Sequence, residues 1–365
     1  MTQTTPPIVA AGSPGKWDAS VAKGFLGQWL LLEAYGPLAR SHMVTAWVAL
    51  ACLAAVDALW LSQSHMSFAP GNLDILIRLV VCTAIAFGVC GLMAHRLANE
   101  TRPVGVGLRE IVRRIELFNV AGVFFSLLAV AVIACCCLGA SAALPLQDAR
   151  LAQIDRWMGF DWVGFVGFAN SSAFASWLLV KAYQSTAYML GWTLLWCCLS
   201  GQGERLAEFL AISCLTSIAI LIGMMILPAE GAYAYYDIPL SAYDKIGAGS
   251  GMWHHDLLMA LRTGKVTVID FNTPNANCLV TFPSGHTVLA VITTYALRGS
   301  PWTFIPALLV NGTMMVSTIP HGGHHLFDVV IGAAIAVCAI VLIRLPLRVR
   351  TPGLRPDSRL DLAEA

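Results

Sequence analysis

The chain alternates between long apolar stretches and short polar ones. A membrane-spanning helix needs about 20 mostly apolar residues, and eight stretches approach or exceed that length. The eight predicted spans are 43–61, 75–97, 117–143, 177–199, 206–227, 284–297, 302–319 and 326–345. The sixth is short, but Arg298-Gly299-Ser300-Pro301 is a tight-turn signal that needs a helix on each side. The pattern predicts an all-α polytopic membrane protein with about eight transmembrane helices.

Composition supports this reading. Charged residues make up 12% of the 365 and hydrophobic residues 57%, whereas soluble domains carry about 25% charged residues. The net charge of +1 provides no basic surface, so we expect no nucleic-acid partner. Ten of the eleven cysteines fall in apolar runs and are expected to act as small hydrophobes; only Cys278 lies in a predicted loop, so no disulfide within the chain is expected. Residues 1–23 lack an apolar core with a cleavage site and are predicted to form a disordered tail.

The distribution of basic residues predicts the orientation. Arginine and lysine concentrate in 1–42, in the loop 98–116 and in 346–365, and the side rich in these residues is cytoplasmic. This orientation and the eight predicted spans together give the predicted organisation of the chain. It comprises a cytoplasmic N-terminal tail (1–42), two spans with a basic cytoplasmic loop (43–116), a six-span core (117–345) and a cytoplasmic C-terminal tail (346–365).

Two long segments are then expected on the outer face. Segment 144–176 mixes tryptophan, phenylalanine and charged residues, which suits a helix lying in the membrane interface. Segment 228–283 is rich in glycine, tyrosine, asparagine and proline, shows no helical pattern, and is long enough to be functional or disordered.

The first candidate site element opens the sixth span, at Phe282-Pro283-Ser284-Gly285-His286-Thr287. The free N–H groups of a helix N-terminus bind anions, Gly285 allows close approach to the backbone, and the Ser284 hydroxyl adds a donor. His286 can give a proton to a leaving oxygen. The alternative is an ordinary helix cap with an interfacial histidine.

The second element, His324-His325-Leu326-Phe327-Asp328, opens the eighth span. His324 and Asp328 are four apart and share a helix face, so the carboxylate can orient one ring nitrogen and leave the other to attack phosphorus. His325 lies three residues before Asp328, so the carboxylate of Asp328 could contact His325 as well. Gly323 allows a sharp turn close to a substrate. The alternative is a solvated histidine cluster with an aspartate that caps the last helix.

Together, these two motifs resemble the type 2 phosphatidic acid phosphatase superfamily. The resemblance covers about 117–345 and implies a six-helix phosphatase-like core, with His324 as nucleophile, Asp328 as its orienting carboxylate and His286 as general acid. Two departures are visible. The phosphate-binding arginine of the family is Thr318 here, and segment 227–233 lacks the family's first basic motif. The chain is in this respect similar to the inositol phosphorylceramide synthase-like branch.

Other residues could supply the missing positive charge. Arg262 and Lys265 lie in the outer segment, and we expect Arg262 to fold over the site because a guanidinium binds phosphate through two prongs. Both could equally be interface anchors. His321, when protonated, is a further candidate. His254 and His255 are interpreted as interfacial, and no zinc-type spacing accompanies the histidines, so no metal or cofactor is predicted.

The resemblance implies a lipid phosphatase or phospho-headgroup transferase that works through a phosphohistidine. Its substrate would be a phospholipid or a polyprenyl or sphingolipid phosphate in the bilayer. The expected location is a bacterial inner membrane with the site facing the periplasm or exterior; the sequence does not predict an oligomeric state. The alternative from another class is a transporter or scaffold that retains the fold without catalysis.

Overall fold

The computed structural model describes residues 30, 32–239, 241, 243–247, 250–273 and 279–349. The predicted N-terminal tail 1–23, Cys278 and the C-terminal tail beyond 349 lie outside these residues. Within them the chain is mainly helical, and two short strands pair with each other in parallel. The elements are α1 (Pro37–Gln63), β1 (Ser67–Phe68), α2 (Gly71–Leu97), α3 (Pro103–Ser141), α4 (Asp148–Trp157), α5 (Trp162–Ser171), α6 (Ala173–Gln184), α7 (Thr186–Leu199), α8 (Gly203–Ile226), α9 (Ala232–Tyr236), α10 (His255–Arg262), β2 (Val268–Ile269), α11 (Gly285–Ala296), α12 (Pro301–Ser317) and α13 (Leu326–Val349).

The all-α polytopic membrane architecture is confirmed. Helices α1, α2, α3, α8 and α13 are each long and apolar enough to cross a membrane. The pair α5–α6 would add a sixth span if it is counted as one, although it bends by 109°. The predicted spans 284–297 and 302–319 are the shorter helices α11 and α12, of 12 and 17 residues.

The predicted span 177–199 is interrupted. Helix α6 ends at Gln184, and α7 begins at Thr186. The hydroxyl of Ser185 donates to the carbonyl of Ala182 (2.6 Å), and that of Thr186 donates to Tyr183 (2.8 Å). Side chains that bond to carbonyls in the preceding turn compete with the regular backbone ladder and bend helices. We attribute the interruption to these two adjacent hydroxyl residues.

Helix α8 is the centre of the bundle. It packs against α1, α3, α7, α11 and α13, while α2 packs mainly on α3 at the periphery. Glycines on α8 and on α13 allow both helices to approach the start of α11 closely. A methyl group on Gly332 of α13 would lie 2.6 Å from the carbonyl oxygen of Ser284, and one on Gly223 of α8 would lie 2.6 Å from the ring of Pro283. These glycines bring α13 and α8 directly against the start of α11.

The two segments predicted to lie on the outer face contain more structure than the sequence predicts. The prediction of no helical pattern in 228–283 is wrong, because this segment forms α9, α10 and β2. In segment 144–176, the interfacial-helix prediction corresponds to α4 and α5. Trp157 of α4 is 76% exposed, whereas Asp148 and Asp155 are buried. Being seven residues apart, these two aspartates lie on one face of α4, and that face points into the protein.

Candidate active site

The start of α11 is held by its own cap and by α13. The Ser284 hydroxyl accepts the N–H of Thr287 at 3.4 Å, and the Ser284 N–H donates to the carbonyl of Asp328 at 3.1 Å. Ser284 is fully buried. Its side chain therefore acts as the helix cap, one of the two readings that the sequence left open. Gly285 and His286, which follow it, line a cavity.

The start of α13 separates the two adjacent histidines. The Nδ1 atom of His324 lies 3.3 Å from Oδ2 of Asp328, whereas His325 contacts the same oxygen through its backbone N–H at 2.9 Å. The Asp328 carboxylate is fully buried, and His324 is 4% exposed. With Nδ1 facing the carboxylate, Nε2 of His324 is the ring nitrogen left for chemistry.

The backbone of His324 is fixed from two sides. Its N–H donates to the carbonyl of Thr318 (3.2 Å), and its carbonyl accepts the indole N–H of Trp162 (3.0 Å). Gly323, directly before it, has φ of 72° and touches the backbone of Gly251; a methyl group there would lie 2.9 Å from the Gly251 Cα. The close approach that Gly323 permits is therefore to the chain itself.

His286 and His324 converge on one cavity of about 420 Å³. Their ring centroids are 6.4 Å apart. Much of the remaining wall is apolar and comes from α3, α7 and α11, for example Phe125, Leu128 and Leu190, while α8 adds three hydroxyl residues. The cavity thus combines two histidines with a largely apolar lining, and its volume lies in the ordinary range for small-ligand sites.

Neither predicted cation reaches this cavity. The guanidinium of Arg262 donates to the carbonyl of Leu144 at 2.8 Å, and Lys265 is exposed. Among the described residues, no lysine or arginine lines the cavity. The Leu144 carbonyl lies beyond the end of α3, outside any helical ladder, which gives the guanidinium a partner away from the histidines.

Tyr183 is a site residue whose position follows from the break between α6 and α7. Its ring stacks on that of His286 with centroids 4.4 Å apart and meets the edge of His321 at 4.9 Å. It also lines the cavity. The sequence predicts Tyr183 near the outer end of a span but carries no signal that it faces His286.

His321 and His254 are both buried neutral histidines. Nδ1 of His321 lies 3.0 Å from the Ser250 hydroxyl, and burial lowers the pKa of His321 to about 4. Burial likewise lowers the pKa of His254 to about 4, and its Nε2–H donates to the carbonyl of Glu230 (3.0 Å). Neither carries charge at neutral pH, so His321 does not supply the expected cation. His254 lines the cavity although its sequence suggests an interfacial position.

His325 lies at the centre of a buried ionic network. Its ring is fully buried, with Nδ1 3.3 Å from Asp155 and Nε2 3.7 Å from Asp148. Desolvation opposes its protonation, but interaction with the carboxylates of Asp148 and Asp155 outweighs this and raises the pKa of His325 to about 9. A positive charge therefore lies directly beside His324, on a residue that the sequence leaves ambiguous.

The two aspartates also hold backbone. Asp155 accepts the N–H groups of Leu326 (3.0 Å) and Phe327 (2.9 Å), which are the first amides of α13. Asp148 accepts those of Glu230 (3.0 Å) and Gly231 (2.9 Å). The network, formed by Asp148, Asp155 and His325, thus ties α4 to the start of α13 and to the segment where the resemblance would place the first basic motif.

Thr318 stands where the resemblance would place a phosphate-binding arginine. It is fully buried, and its hydroxyl donates to the carbonyl of Met315 at 2.7 Å. Its side chain does not line the cavity. The described part of the chain contains no group of three or more histidine, cysteine, aspartate or glutamate side chains arranged to hold a metal ion. The arrangement at the site is that of a histidine pair, one ring oriented by a carboxylate.

Comparison with known families agrees with the two motifs. Residues 149–342 match the family model of the PAP2 superfamily. A search of curated proteins found no match, and a search of solved structures found none. The matched region begins within α4 and ends within α13, so it includes both histidine motifs and Asp155.

Proposed function

Because the chain belongs to the PAP2 superfamily, we propose that it is an integral-membrane lipid phosphatase or phospho-headgroup transferase that works through a phosphohistidine. One observation carries the proposal: His286 and His324 converge on a single cavity whose lining is largely apolar. Superfamily membership supports a phosphatase-type activity on lipid phosphates. The largely apolar lining supports a substrate that carries a hydrocarbon chain, either an acyl or a polyprenyl chain.

In the first step, Nε2 of His324 attacks phosphorus and forms an N–P bond as the bond to the leaving alcohol breaks. His286 donates a proton to the leaving oxygen. Asp328 keeps the His324 ring in the reactive orientation through Nδ1 (3.3 Å). In the second step, His286 accepts a proton from water or from a lipid hydroxyl, whose oxygen attacks phosphorus and releases His324.

The developing negative charge needs stabilisation that the described arginines and lysines do not provide at the cavity wall. The first amides of α13 are occupied by Asp155. The start of α11, with Gly285 on the cavity wall, remains as the positive helix end facing the substrate. The protonated His325 adds a charge on the far side of His324. We propose that these two features replace the basic motifs.

The proposal also extends to the acceptor of the phosphoryl group and to the branch of the superfamily. The substitution of Thr318 for the family arginine and the absence of basic residues in 227–233 favour the inositol phosphorylceramide synthase-like branch, and hence a lipid alcohol as acceptor. The arginine-rich segments favour an orientation with the histidine cavity on the outer face of a bacterial inner membrane, toward the periplasm or exterior.

A direct test is turnover by the purified chain in lipid vesicles. Phosphatidic acid, a polyprenyl phosphate and a sphingolipid phosphate are supplied with and without diacylglycerol or ceramide, and released phosphate and new lipid products are measured. We expect His324→Ala to abolish turnover. His255→Ala is the matched control, since His255 pairs with Glu230 (3.3 Å) and does not line the cavity.

No described lysine or arginine lines the cavity wall, which favours one rival, a non-catalytic transporter or scaffold. Turnover by the wild type and by His255→Ala, with none by His324→Ala, would reject this rival. Equal turnover by His324→Ala and wild type, or no turnover by a wild type that binds the same lipids, would reject the proposed mechanism.

A further inference from the structure

A second pocket lies at the opposite end of the bundle from the histidines. It encloses about 480 Å³ between the starts of α1 and α8, the turn after α11 and the last part of α13. Along α13, Leu326 lies at the end near the histidines and Arg344 lines the second pocket. The 18 residues of helix between them correspond to about 27 Å. The two pockets are therefore separated by roughly the thickness of a bilayer core.

Positive charge dominates this second pocket. Arg205, Arg298 and Arg344 line it together with two glutamates, Glu204 and Glu208. Both oxygens of Glu208 are already engaged. Oε2 accepts from Arg298 (2.6 Å), and Oε1 accepts from Arg344 (3.2 Å) and from the Tyr295 hydroxyl (2.5 Å). Glu208 therefore fixes two guanidinium groups in place and makes no hydrogen bond to the third among the described residues.

Arg205 is the third guanidinium and lacks such a partner. Its Nη1 atom is buried and has no hydrogen-bond partner among the described residues. The group lies against Gly299, where a methyl group would be 2.0 Å from Nη1. On the same pocket wall, Nδ1 of His42 is also buried without a partner in the described part of the chain, as is Oε1 of Gln202, an acceptor that a water would satisfy and an anion would not. Unsatisfied buried polar atoms are uncommon and point to an absent ion or water.

We propose that this second pocket binds a phosphate-type anion. Guanidinium groups bind phosphoryl oxygens through paired hydrogen bonds, and Arg205 offers such a fork beside two others that Glu208 already orients. An anion there would give the buried Nη1 a partner and would offset the repulsion between neighbouring arginines. The same chemistry is offered by the phosphate of a lipid headgroup and by inorganic phosphate. The site is independent of the proposed catalysis.

The test uses the full chain in detergent with the substitution His324→Ala, so that lipids are not turned over. Retention of phosphatidylglycerol is measured by native mass spectrometry against diacylglycerol with the same acyl chains. We expect phosphatidylglycerol to be retained selectively and Arg205→Gln to weaken its retention at least tenfold. The matched control Arg114→Gln should change it less than twofold, since Arg114 pairs with Glu110 outside the pocket.

Inorganic phosphate distinguishes the two sources. If it stabilises the chain and displaces phosphatidylglycerol, the site takes a soluble anion; if the lipid is retained against it, the site takes a headgroup. If Arg205→Gln fails to fold, Arg344→Gln replaces it, because the Arg344 side chain is half-exposed (51%); it should weaken retention at least threefold. The proposal would be overturned, even if the histidine cavity proves catalytic, by either of two results. One is that Arg205→Gln, or its replacement Arg344→Gln, retains phosphatidylglycerol as well as Arg114→Gln does. The other is that the chain shows no selectivity over diacylglycerol and no stabilisation by inorganic phosphate.

Discussion

The network of Asp148, Asp155 and His325 gives a sharp prediction for Asp155→Asn. The carboxylate accepts two amides of α13 and pairs with the His325 ring at 3.3 Å. An asparagine oxygen can still accept one of these N–H groups. Its NH₂ group then faces another donor, and the protonated histidine loses a counter-charge in a fully buried place.

The expected cost is about 3 kcal/mol in the free energy of unfolding. Removing one partner of a buried ion pair costs about 3–5 kcal/mol, because the other charge is left uncompensated. We take the lower end because Asp148 still lies 3.7 Å from the ring of His325. If the cost arises from this pair, it should shrink by more than about 1 kcal/mol when His325→Gln is already present.

The pH dependence gives a second view of the same network. The pKa of His325 is raised from 6.5 to about 9 in the folded protein, so its protonation stabilises the fold fully below pH 6.5. This contribution is lost as the pH rises toward 9, and at about 1.4 kcal/mol per pKa unit it amounts to about 3 kcal/mol. His325→Gln should remove this fall in stability between pH 6.5 and 9.

Stability is measured by titrating the purified chain with a denaturing detergent in mixed micelles and following tryptophan fluorescence. Asp244→Asn is the control, because Asp244 is exposed and bonds only to Asn170 at 3.3 Å among the described side chains; it should change stability by less than about 0.5 kcal/mol. Additive effects of Asp155→Asn and His325→Gln, with unchanged pH dependence in His325→Gln, would refute the ionic network as the cause.

Four further predictions concern activity and topology. Asp328→Asn should lower kcat by about 100-fold or more in the vesicle assay by misorienting the attacking ring, and unchanged kcat would exclude that role. Tyr183→Ala should lower kcat by about tenfold, since the Tyr183 ring stacks on that of His286, the proposed general acid; an unchanged kcat would contradict this. Leu128→Trp should raise KM about tenfold for long-chain substrates and leave short-chain ones unchanged, because Leu128 lines the apolar interior; uniform effects would argue against a chain in the cavity. In a Cys278→Ser background, an impermeant thiol reagent applied outside should label Lys245→Cys but not Glu110→Cys, and the reverse pattern would invert the predicted orientation.

Much of the fold follows from local pattern. Long apolar runs must form helices in a membrane, where backbone groups cannot bond to water, so α1, α2, α3, α8 and α13 are readable from composition alone. The spacing of His324 and Asp328 also predicts that their side chains lie together, because residues four apart on a helix share a face. Both statements depend on neighbours in the sequence, and both agree with the structure.

The break at Ser185 and the helices of segment 228–283 are harder to read. The first depends on hydroxyls that either point to solvent or bond to the preceding turn, and the sequence does not distinguish these outcomes. The short helix α10 has too few residues to be stable alone and is held by packing. Local propensity is weak at such places, so the surrounding structure decides.

The partners of the site residues were decided by tertiary structure. The sequence by itself determined a polytopic helical membrane protein with a histidine–aspartate pair at one helix start and a second histidine at another. Only the fold placed Asp155, 170 residues before His325, within 3.3 Å of it, turned Arg262 to Leu144, and stacked Tyr183 on His286. The physical reason is that hydrogen bonds and ion pairs depend on distance in space, and contacts between distant segments exist only after the helices have packed.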